Sequence, residues 1–239
     1  MMGDMLIYEA NSGILKAVMD AEYITTLRTG AVAAHSALVF GKKNFTTIGL
    51  LGLGNIMTVC FETLLAVLKR DGDNRKLTVK LYKHHDQEKR FADRFKDERN
   101  VDFVFANTYP EIFDGADVII SAVTKATQNF AQDECFKEGV TVIPICTMGF
   151  QNCDLFFDKV FTDEIEQIRG FKYFNQFHSV ANVTDVLAGV KEGRTNERER
   201  VLVYNYGIAI HDLYFASKLI NQCDGKNVEY NFCKDKYFM

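Results

Sequence analysis

The stretch Thr47-Ile48-Gly49-Leu50-Leu51-Gly52-Leu53-Gly54-Asn55-Ile56-Met57 decides the fold. A short apolar run enters Gly-x-Gly, and the segment from Thr58 to Arg70 then places apolar residues at Val59, Leu64, Val67 and Leu68. Strand, tight turn and helix in that order open a dinucleotide-binding βαβ unit. Gly52 lets the chain turn, and Gly54 lets backbone come close to a pyrophosphate. The helix N-terminus, reached through Asn55 and Ile56, then offers free N–H groups and a partial positive charge to that anion, and these two residues join the glycines as candidate cofactor contacts. Met57 stands at the third position, usually Gly or Ala, and predicts crowding of helix on sheet. A Gly-rich turn also occurs in α/β proteins that bind no nucleotide, so the rest of the chain has to be read with it.

Outward from this turn the pattern alternates. Thr47–Leu51 reads as a strand and 59–69 as a helix. Leu77–Tyr82 is a second strand, followed by a charged helix around 87–96. Residues 101–105, 118–122 and 141–145 are further strands, with 160–161 as one more. Apolar strands alternating with helices argue a parallel sheet covered on both faces. Before the turn, residues 24, 27, 31, 34 and 38 form a helical apolar stripe that Gly41 would stop. After the sheet come a short strand at Val201–Tyr204 and a second stripe at Ala209, Leu213, Ala216 and Ile220. These two stripes are natural partners. The expected architecture is an α/β fold: a Rossmann-like unit over 43–194, inserted in a smaller layer built from 1–42 and 195–239. The turn at 193–198 would be exposed and join the two.

Composition bounds the function. The chain has 239 residues, enough for one substantial core, and 47% hydrophobic with 25% charged residues is ordinary for a soluble globular protein. A net charge of −4 favours neither nucleic acid nor an anionic membrane. No apolar run is long enough to span a bilayer, and no basic start followed by an apolar stretch marks a signal peptide. The six cysteines (Cys60, Cys135, Cys146, Cys153, Cys223 and Cys233) show neither Cys-x-x-Cys pairing nor metal spacing. Reduced, packed thiols in a cytoplasm are expected, and no metal.

Candidate chemistry is sparse. An Asp or Glu after the second strand would mark NAD. The chain instead reads Tyr82-Lys83-His84-His85, and a cation at Lys83 or His84 suits the 2′-phosphate of NADP; solvated residues at a strand end are the plain alternative. His84 and His85, adjacent on a strand, would point to opposite faces and share no metal. Arg28 sits beside the first apolar stripe, flanked by Thr25, Thr29 and Gly30. A cation there, with a Gly permitting close approach, suits a bidentate grip on a carboxylate. The pattern alone favours a structural ion pair with Asp20 or Glu22. His211 and Asp212 are candidates to face a cleft, whereas Asp117 reads as a cap before the fourth strand. No Ser/His/Asp spacing and no Walker motif is present.

Several segments together resemble one family. Gly13 through Ala31, containing Met19-Asp20-Ala21 and Thr25-Thr26-Leu27-Arg28-Thr29-Gly30-Ala31, is similar to the stretch before the Rossmann domain of the ornithine cyclodeaminase/mu-crystallin family. Gly115-Ala116-Asp117-Val118-Ile119-Ile120-Ser121-Ala122-Val123-Thr124 resembles its Ala-Asp-Val-Ile-x-Thr-Ala-Thr strand. Val183-Thr184-Asp185-Val186-Leu187-Ala188-Gly189 with Gly193-Arg194-Thr195, and Gly207-Ile208-Ala209-Ile210-His211-Asp212, resemble two later motifs in family order. The resemblance implies a Rossmann domain in a dimerising substrate domain, with NAD(H) or NADP(H) also contacted by Ala122, Val123 and Thr124. It implies hydride transfer between amino acids and imines, as in cyclodeaminases, ketimine reductases and alanine or opine-type dehydrogenases. Arg28 matches the Arg that grips the substrate carboxylate, which reverses the preference stated above.

Three departures shape the expectation. The chain begins where a family member is already under way, so further carboxylate-binding basic residues and much of the dimer sheet are not encoded. Cys146-Thr147-Met148-Gly149-Phe150-Gln151 replaces the family's Gly-Ala-Asp-x-Pro-Gly, so Met148 stands near the place of the catalytic Asp. A thioether moves no proton at neutral pH. Asp154 falls at the family's Glu-Leu position and is expected to face elsewhere. Met57 is the third departure. The reading is therefore an NAD(P)-dependent oxidoreductase of an amino acid or cyclic imine, with NADP favoured by Lys83 and His84, and not a true ornithine cyclodeaminase. The alternative is an inactive, mu-crystallin-like protein that binds nucleotide or a small ligand. A homodimer is expected as the partner state, with a separate chain supplying the N-terminal part as a third possibility.

Overall fold

The computed structural model describes residues 3–151, 154–222 and 225. It opens with an antiparallel hairpin of β1 (Asp4–Tyr8) and β2 (Leu15–Asp20), in register Asp4 to Asp20 and Leu6 to Val18. The long helix α1 (Ala21–Phe40) follows without a loop. It starts three residues before the apolar stripe because Asp20 caps it, accepting from the N–H groups of Glu22 (2.8 Å) and Tyr23 (3.3 Å). Gly41 ends it, and a side chain there would run into the Ala37 carbonyl oxygen.

Next come β3 (Thr47–Leu51), α2 (Asn55–Arg70), β4 (Leu77–Tyr82), α3 (Gln87–Arg94), β5 (Val101–Ala106), α4 (Tyr109–Phe113), β6 (Val118–Ser121) and β7 (Thr141–Pro144). The chain continues through β8 (Lys159–Thr162), α5 (Ile165–Ile168), β9 (Val180–Asn182), α6 (Val183–Leu187), β10 (Val201–Tyr204) and α7 (Ala209–Ile220). Eight strands form one sheet in the order β5-β4-β3-β6-β7-β10-β8-β9, and every pairing in it is parallel. Strands β6, β7 and β10 are buried at every position, which is why they read as continuous apolar runs.

One placement differs from the sequence reading. Val201–Tyr204 does not belong to a terminal layer: β10 lies inside the large sheet, between β7 and β8. A strand with no exposed face needs neighbours on both edges and cover on both faces, and the middle of the sheet supplies them. The chain leaves the sheet after Tyr204, and α7 then packs on α1.

Helix packing also departs from the expected stripes. In α2 the buried residues are Met57, Cys60, Phe61, Leu64 and Leu68, while Val59 and Val67 are half-buried. Met57 is fully buried and fills the core under the turn instead of crowding it. Gly30 serves helix contact: a Cβ there would stand 2.7 Å from the Cys60 backbone nitrogen and from a Val59 methyl group, so α1 and α2 meet at this glycine. On α7 only Ala216 of the expected stripe is buried, and Leu213 remains 48% exposed.

Two polar anchors hold the sheet to its flanks. Asp117 accepts from the N–H groups of Thr46 (2.9 Å) and Thr47 (3.0 Å) and pairs with Lys42 and Lys137, each at 2.8 Å. Burial alone would raise its carboxyl, but Lys137, Lys42 and the two N–H groups hold it well below the usual carboxylate range. It is structural, as expected. Arg194 is more than part of an exposed turn: its guanidinium donates to the Phe40 carbonyl (2.9 Å), the Thr141 hydroxyl (2.8 Å) and the Glu199 carbonyl (2.6 Å). Of the cysteines, Cys60, Cys135 and Cys146 are free thiols, and burial pushes Cys60 up to about 12. Cys153, Cys223 and Cys233 lie outside the described residues. Among the described residues no helix is long and apolar enough to cross a membrane.

Candidate functional site

The turn between β3 and α2 sits at the carboxyl ends of the parallel strands, where β3 is flanked by β4 on one side and β6 on the other. The chain crosses from one side of the sheet to the other here, and such a crevice is where open α/β sheets bind ligands. Gly52 has φ +78°, and a Cβ on it would stand 2.6 Å from the Ala122 carbonyl carbon and 2.7 Å from the Val123 nitrogen. Its missing side chain lets the turn rest on the loop after β6. Gly54 is the reverse case: a Cβ on it would meet nothing within 4 Å. No side chain caps the start of α2, and the Thr58 hydroxyl turns back to the Gly54 carbonyl at 3.2 Å. Uncapped helical N–H groups beside open space are what a pyrophosphate requires.

Two cavities flank the turn. One, of about 470 Å³, is lined by Gly52, Gly54, Asn55, Ile56 and Met57, by Ala122 and Thr124, and by Ala21, Glu22, Thr25 and Thr26 of α1. The other, of about 300 Å³, is lined by Gly52 to Gly54, Tyr82, His84, Gln87, Tyr109 and Ala122 to Thr124. The structure thus gathers Gly52, Gly54, Asn55, Ile56, His84, Ala122, Val123 and Thr124 around one turn. A nicotinamide dinucleotide needs donors for its pyrophosphate and a surface for its adenine, and the residues present fit those needs: backbone donors in the middle and an aromatic wall on the side of β4.

That aromatic wall is Tyr82 stacked on Tyr109, with ring centroids 4.2 Å apart. His84 lines the cavity, and its backbone N–H is held by the buried Glu88 at 3.0 Å. Among the described residues no carboxylate lines this second cavity. Lys83 lines neither cavity; its ammonium donates to Asn107 at 2.8 Å. His84 and His85 also correct the sequence reading. They lie beyond β4 in a turn where His85 and Asp86 have positive φ, and their rings meet edge to face, centroids 4.2 Å apart, instead of pointing apart. Among the described residues no group of three or more His, Cys, Asp or Glu could hold a metal ion.

Arg28 lines neither cavity beside the glycine turn. Its ion pair goes to Asp212 of α7, Nε to Oδ1 at 3.0 Å, and not to Asp20, which caps α1. Asp212 therefore does face inward. His211, its neighbour, lines a separate cavity of about 250 Å³ with His35, Ser36 and Asp163. Burial lowers the His35 ring and raises the Asp163 carboxyl. Met148 is 60% exposed and lines neither cavity beside the turn. Its loop is tightly held: Ala126 N–H donates to the Met148 carbonyl at 2.6 Å, and the Ser121 hydroxyl to the Gly149 carbonyl at 2.7 Å. Asp154 lies in a short 3-10 turn, Asp154–Phe156.

Sequence reasoning missed Thr25 and Thr26, which line the larger cavity, and Asp163, at the carboxyl end of β8. The signal available for Asp163 was its position: functional residues of parallel sheets gather where strands end.

Comparison with known proteins adds identity to this geometry. The sequence pattern of the ornithine cyclodeaminase/mu-crystallin family matches residues 1–227. An alanine dehydrogenase of Archaeoglobus fulgidus is 26% identical over 239 residues, covering 94% of this chain and 71% of that protein. The solved structure of Thermococcus litoralis Δ1-pyrroline-2-carboxylate reductase, in complex with NADH and L-proline, superposes with a TM-score of 0.80 at 21% identity, covering 95% of this chain and 74% of that one. An archaeal alanine dehydrogenase dimer with bound NAD superposes with a TM-score of 0.79 at 23% identity, covering 96% and 75%. The two superpositions speak for the fold: a Rossmann-like parallel sheet in a mixed α/β chain.

Proposed function

The chain belongs to the ornithine cyclodeaminase/mu-crystallin family, and on that premise we propose that it is an NAD(P)-dependent oxidoreductase interconverting an amino acid and its imine, a cyclic imine included. The observation that carries the proposal is the uncapped start of α2, with open space over Gly54 and a cavity on either side. The relatives described above, which bear alanine dehydrogenase and pyrroline-carboxylate reductase names, support the same class of reaction.

In this reading the N–H groups at the start of α2 hold the pyrophosphate. Tyr82, His84 and Tyr109 bound the adenosine half, with no acid to bind a 2′-hydroxyl, so NADP is the favoured form. Ala122, Thr124, Thr25 and Thr26 enclose the nicotinamide half. A bound nicotinamide supplies or accepts the hydride. Arg28 grips the substrate carboxylate. Met148 cannot move a proton, so the proton on nitrogen comes from water or the substrate, and ornithine cyclisation is not proposed. We divide the chain into a nucleotide-binding body over 43–204 and a substrate and dimerisation layer made by β1, β2, α1 and α7. The functional unit is a homodimer.

The exposure of Met148 favours a second reading, a nucleotide- and small-ligand-binding protein without turnover. Loss of NADH or NADPH absorbance decides between them, with pyruvate plus ammonia and Δ1-pyrroline-2-carboxylate as substrates. Oxidation of either nucleotide supports the enzyme. Tight nucleotide binding without oxidation supports the second reading, and no binding at millimolar nucleotide defeats both.

A further inference from the structure

A further cavity at the carboxyl edge of the sheet has no part in the nucleotide reading. Its volume is about 360 Å³, and it shares no lining residue with the two cavities beside the glycine turn. Three stretches wall it: the loop after β7 with Phe150 and Gln151, the loop after α5 with Phe171 and Lys172, and the end of β10 with Tyr204 and Tyr206. Four of these side chains are aromatic. Phe171 stands edge-on to Tyr204, with centroids 5.5 Å apart and planes at 90°. Tyr206 lies 5.1 Å from the Tyr204 ring and 6.0 Å from the Phe171 ring. Among the described residues Lys172 is the one charged group that lines the cavity, and no carboxylate does.

The walls are held by contacts of their own. Phe150 packs on the rings of Phe113 (6.1 Å), Phe130 (5.7 Å) and Phe136 (6.3 Å). Gln151, the next residue, is buried and turns its amide inward: Oε1 accepts from the N–H groups of Phe130 (2.6 Å) and Ala131 (2.9 Å), and Nε2 donates to the Ala131 carbonyl at 2.7 Å. The Phe171 N–H donates to the Ile168 carbonyl at 2.9 Å, and the Phe171 carbonyl accepts from the Phe174 N–H at 3.0 Å. Lys172 is exposed. Its ammonium lies 4.9 Å over the Tyr173 ring and, among the described residues, meets no carboxylate. The nearby Arg169, by contrast, is paired with Glu166.

From this arrangement we infer that the cavity is a binding site for a small aryl carboxylate, with one aromatic ring among Phe150, Phe171, Tyr204 and Tyr206 and its carboxylate at the Lys172 ammonium. Aromatic rings gain from edge-to-face and offset contact beyond the area they bury, so these walls favour a planar ring over an aliphatic group. The volume lies near the lower end of the range for small-molecule pockets, about 300–1,000 Å³, which suits one ring on a short arm. Aromatic walls also attract organic cations. Here the one charge at the cavity is positive, which decides for an anion. Walls fixed before the ligand arrives spare the cost of ordering them on binding. The inference stands apart from the nucleotide reading and does not fall with it.

Ligand-detected NMR titration of the full chain tests it, with phenylacetate, cyclohexylacetate and phenethylamine as probes. Phenylacetate should bind at millimolar concentration or below. Cyclohexylacetate, which has the charge without the flat ring, should bind about threefold to tenfold more weakly. Phenethylamine, which has the ring with the opposite charge, should bind about fivefold or more weakly. Lys172→Ala should weaken phenylacetate by about twofold to fivefold and remove its advantage over phenethylamine. Phe171→Leu, which keeps apolar bulk and loses the ring, should weaken it by about threefold to tenfold. Should Phe171→Leu fail to fold, Lys172→Ala and the three probes carry the comparison. Saturating NADH should leave phenylacetate affinity unchanged. No phenylacetate binding at millimolar concentration overturns the site. Equal affinity for phenethylamine, or parental phenylacetate affinity in either folded variant, overturns the assignment of ring and charge. Displacement of phenylacetate by NADH puts the ring in a nucleotide cavity and overturns the inference as well.

Discussion

Gly52→Ala and Gly54→Ala are one chemical change made two residues apart, and the structure predicts opposite outcomes for them. At Gly52 the new methyl group is forced into left-handed backbone, φ +78°, at a cost of about 1–2 kcal/mol. It also meets the Ala122 carbonyl carbon at 2.6 Å and the Val123 nitrogen at 2.7 Å, backbone atoms that cannot swing aside. Overpacking of that kind costs about 1–3 kcal/mol. The sum, about 2–5 kcal/mol, corresponds to a fall in Tm of roughly 5–15 °C for a chain of this size. At Gly54 the backbone is extended, with φ −91°, and the methyl group meets nothing. Losing Gly at a helix N-cap costs about 0.5–1 kcal/mol, and restricting the unfolded chain returns about 0.4–1 kcal/mol, so Tm should barely move. The methyl group instead fills the space a pyrophosphate must enter to reach the start of α2. Loss of one charge-assisted hydrogen bond, worth about 1.5–3 kcal/mol, weakens NADH or NADPH by roughly tenfold to a hundredfold. Thermal unfolding and nucleotide fluorescence titration read the two effects separately. Parental nucleotide affinity in Gly54→Ala, or equal Tm losses in both variants, would refute the reasoning.

Asp117→Asn should cost roughly 2–4 kcal/mol at neutral pH. Because the folded carboxyl lies below its unfolded value, the parent's advantage is present above about pH 4 and fades as pH falls further; an advantage that is the same in acid and at neutral pH contradicts the Asp117 account. NADPH should bind more tightly than NADH, and His84→Asp should reverse the order while Lys83→Ala leaves it intact; the opposite result would return the role to Lys83. Leu6, Tyr8 and Val18 on the hairpin and Ile210, Leu213 and Tyr214 on α7 are each 48–61% exposed, so light scattering should find a dimer at micromolar concentration, and a clean monomer would count against a layer that covers them. Ornithine with NAD should yield no proline at a useful rate, and Met148→Asp should raise whatever rate exists; robust parental turnover would show that another group moves the protons.

Much of the sheet was legible because a parallel strand buried on both faces leaves a continuous apolar run. Val201–Tyr204 was bounded to the residue for that reason, whereas Leu77–Tyr82, bounded as well, alternates buried and half-buried positions. The order of strands across the sheet was not legible. β10 follows β8 and β9 in the chain yet pairs with β7 and β8, and nothing in its own residues says so. Helix faces were blurred where a helix has more than one neighbour. α1 packs on α2, on α7 and against the sheet, so its buried face runs through Thr29, Gly30, Ala33, Ala37 and Phe40, and of the expected stripe only Ile24 and Ala34 are buried. Long-range pairs were equally silent: Arg28 and Asp212 are 184 positions apart, and the nearer acids at 20 and 22 looked the better partners.

Glycine shows where sequence reasoning stops and why. Gly30, beside Arg28 in the chain, invited the idea that it clears space for a ligand. Its empty side is instead filled by the Cys60 backbone and the Val59 side chain, so it clears space for a helix. Gly207 stood out only as part of a family motif, yet its empty side is where the Arg28 guanidinium lies. Gly52 is filled by the loop after β6, and Gly54 by nothing at all. A sequence records that a side chain is missing; which atoms use the space is a property of the fold. Of these four positions only Gly54 leaves room for something the chain does not itself supply. The turn around it, and not the number of glycines in the motif, is therefore the physical basis for assigning a nucleotide to this protein.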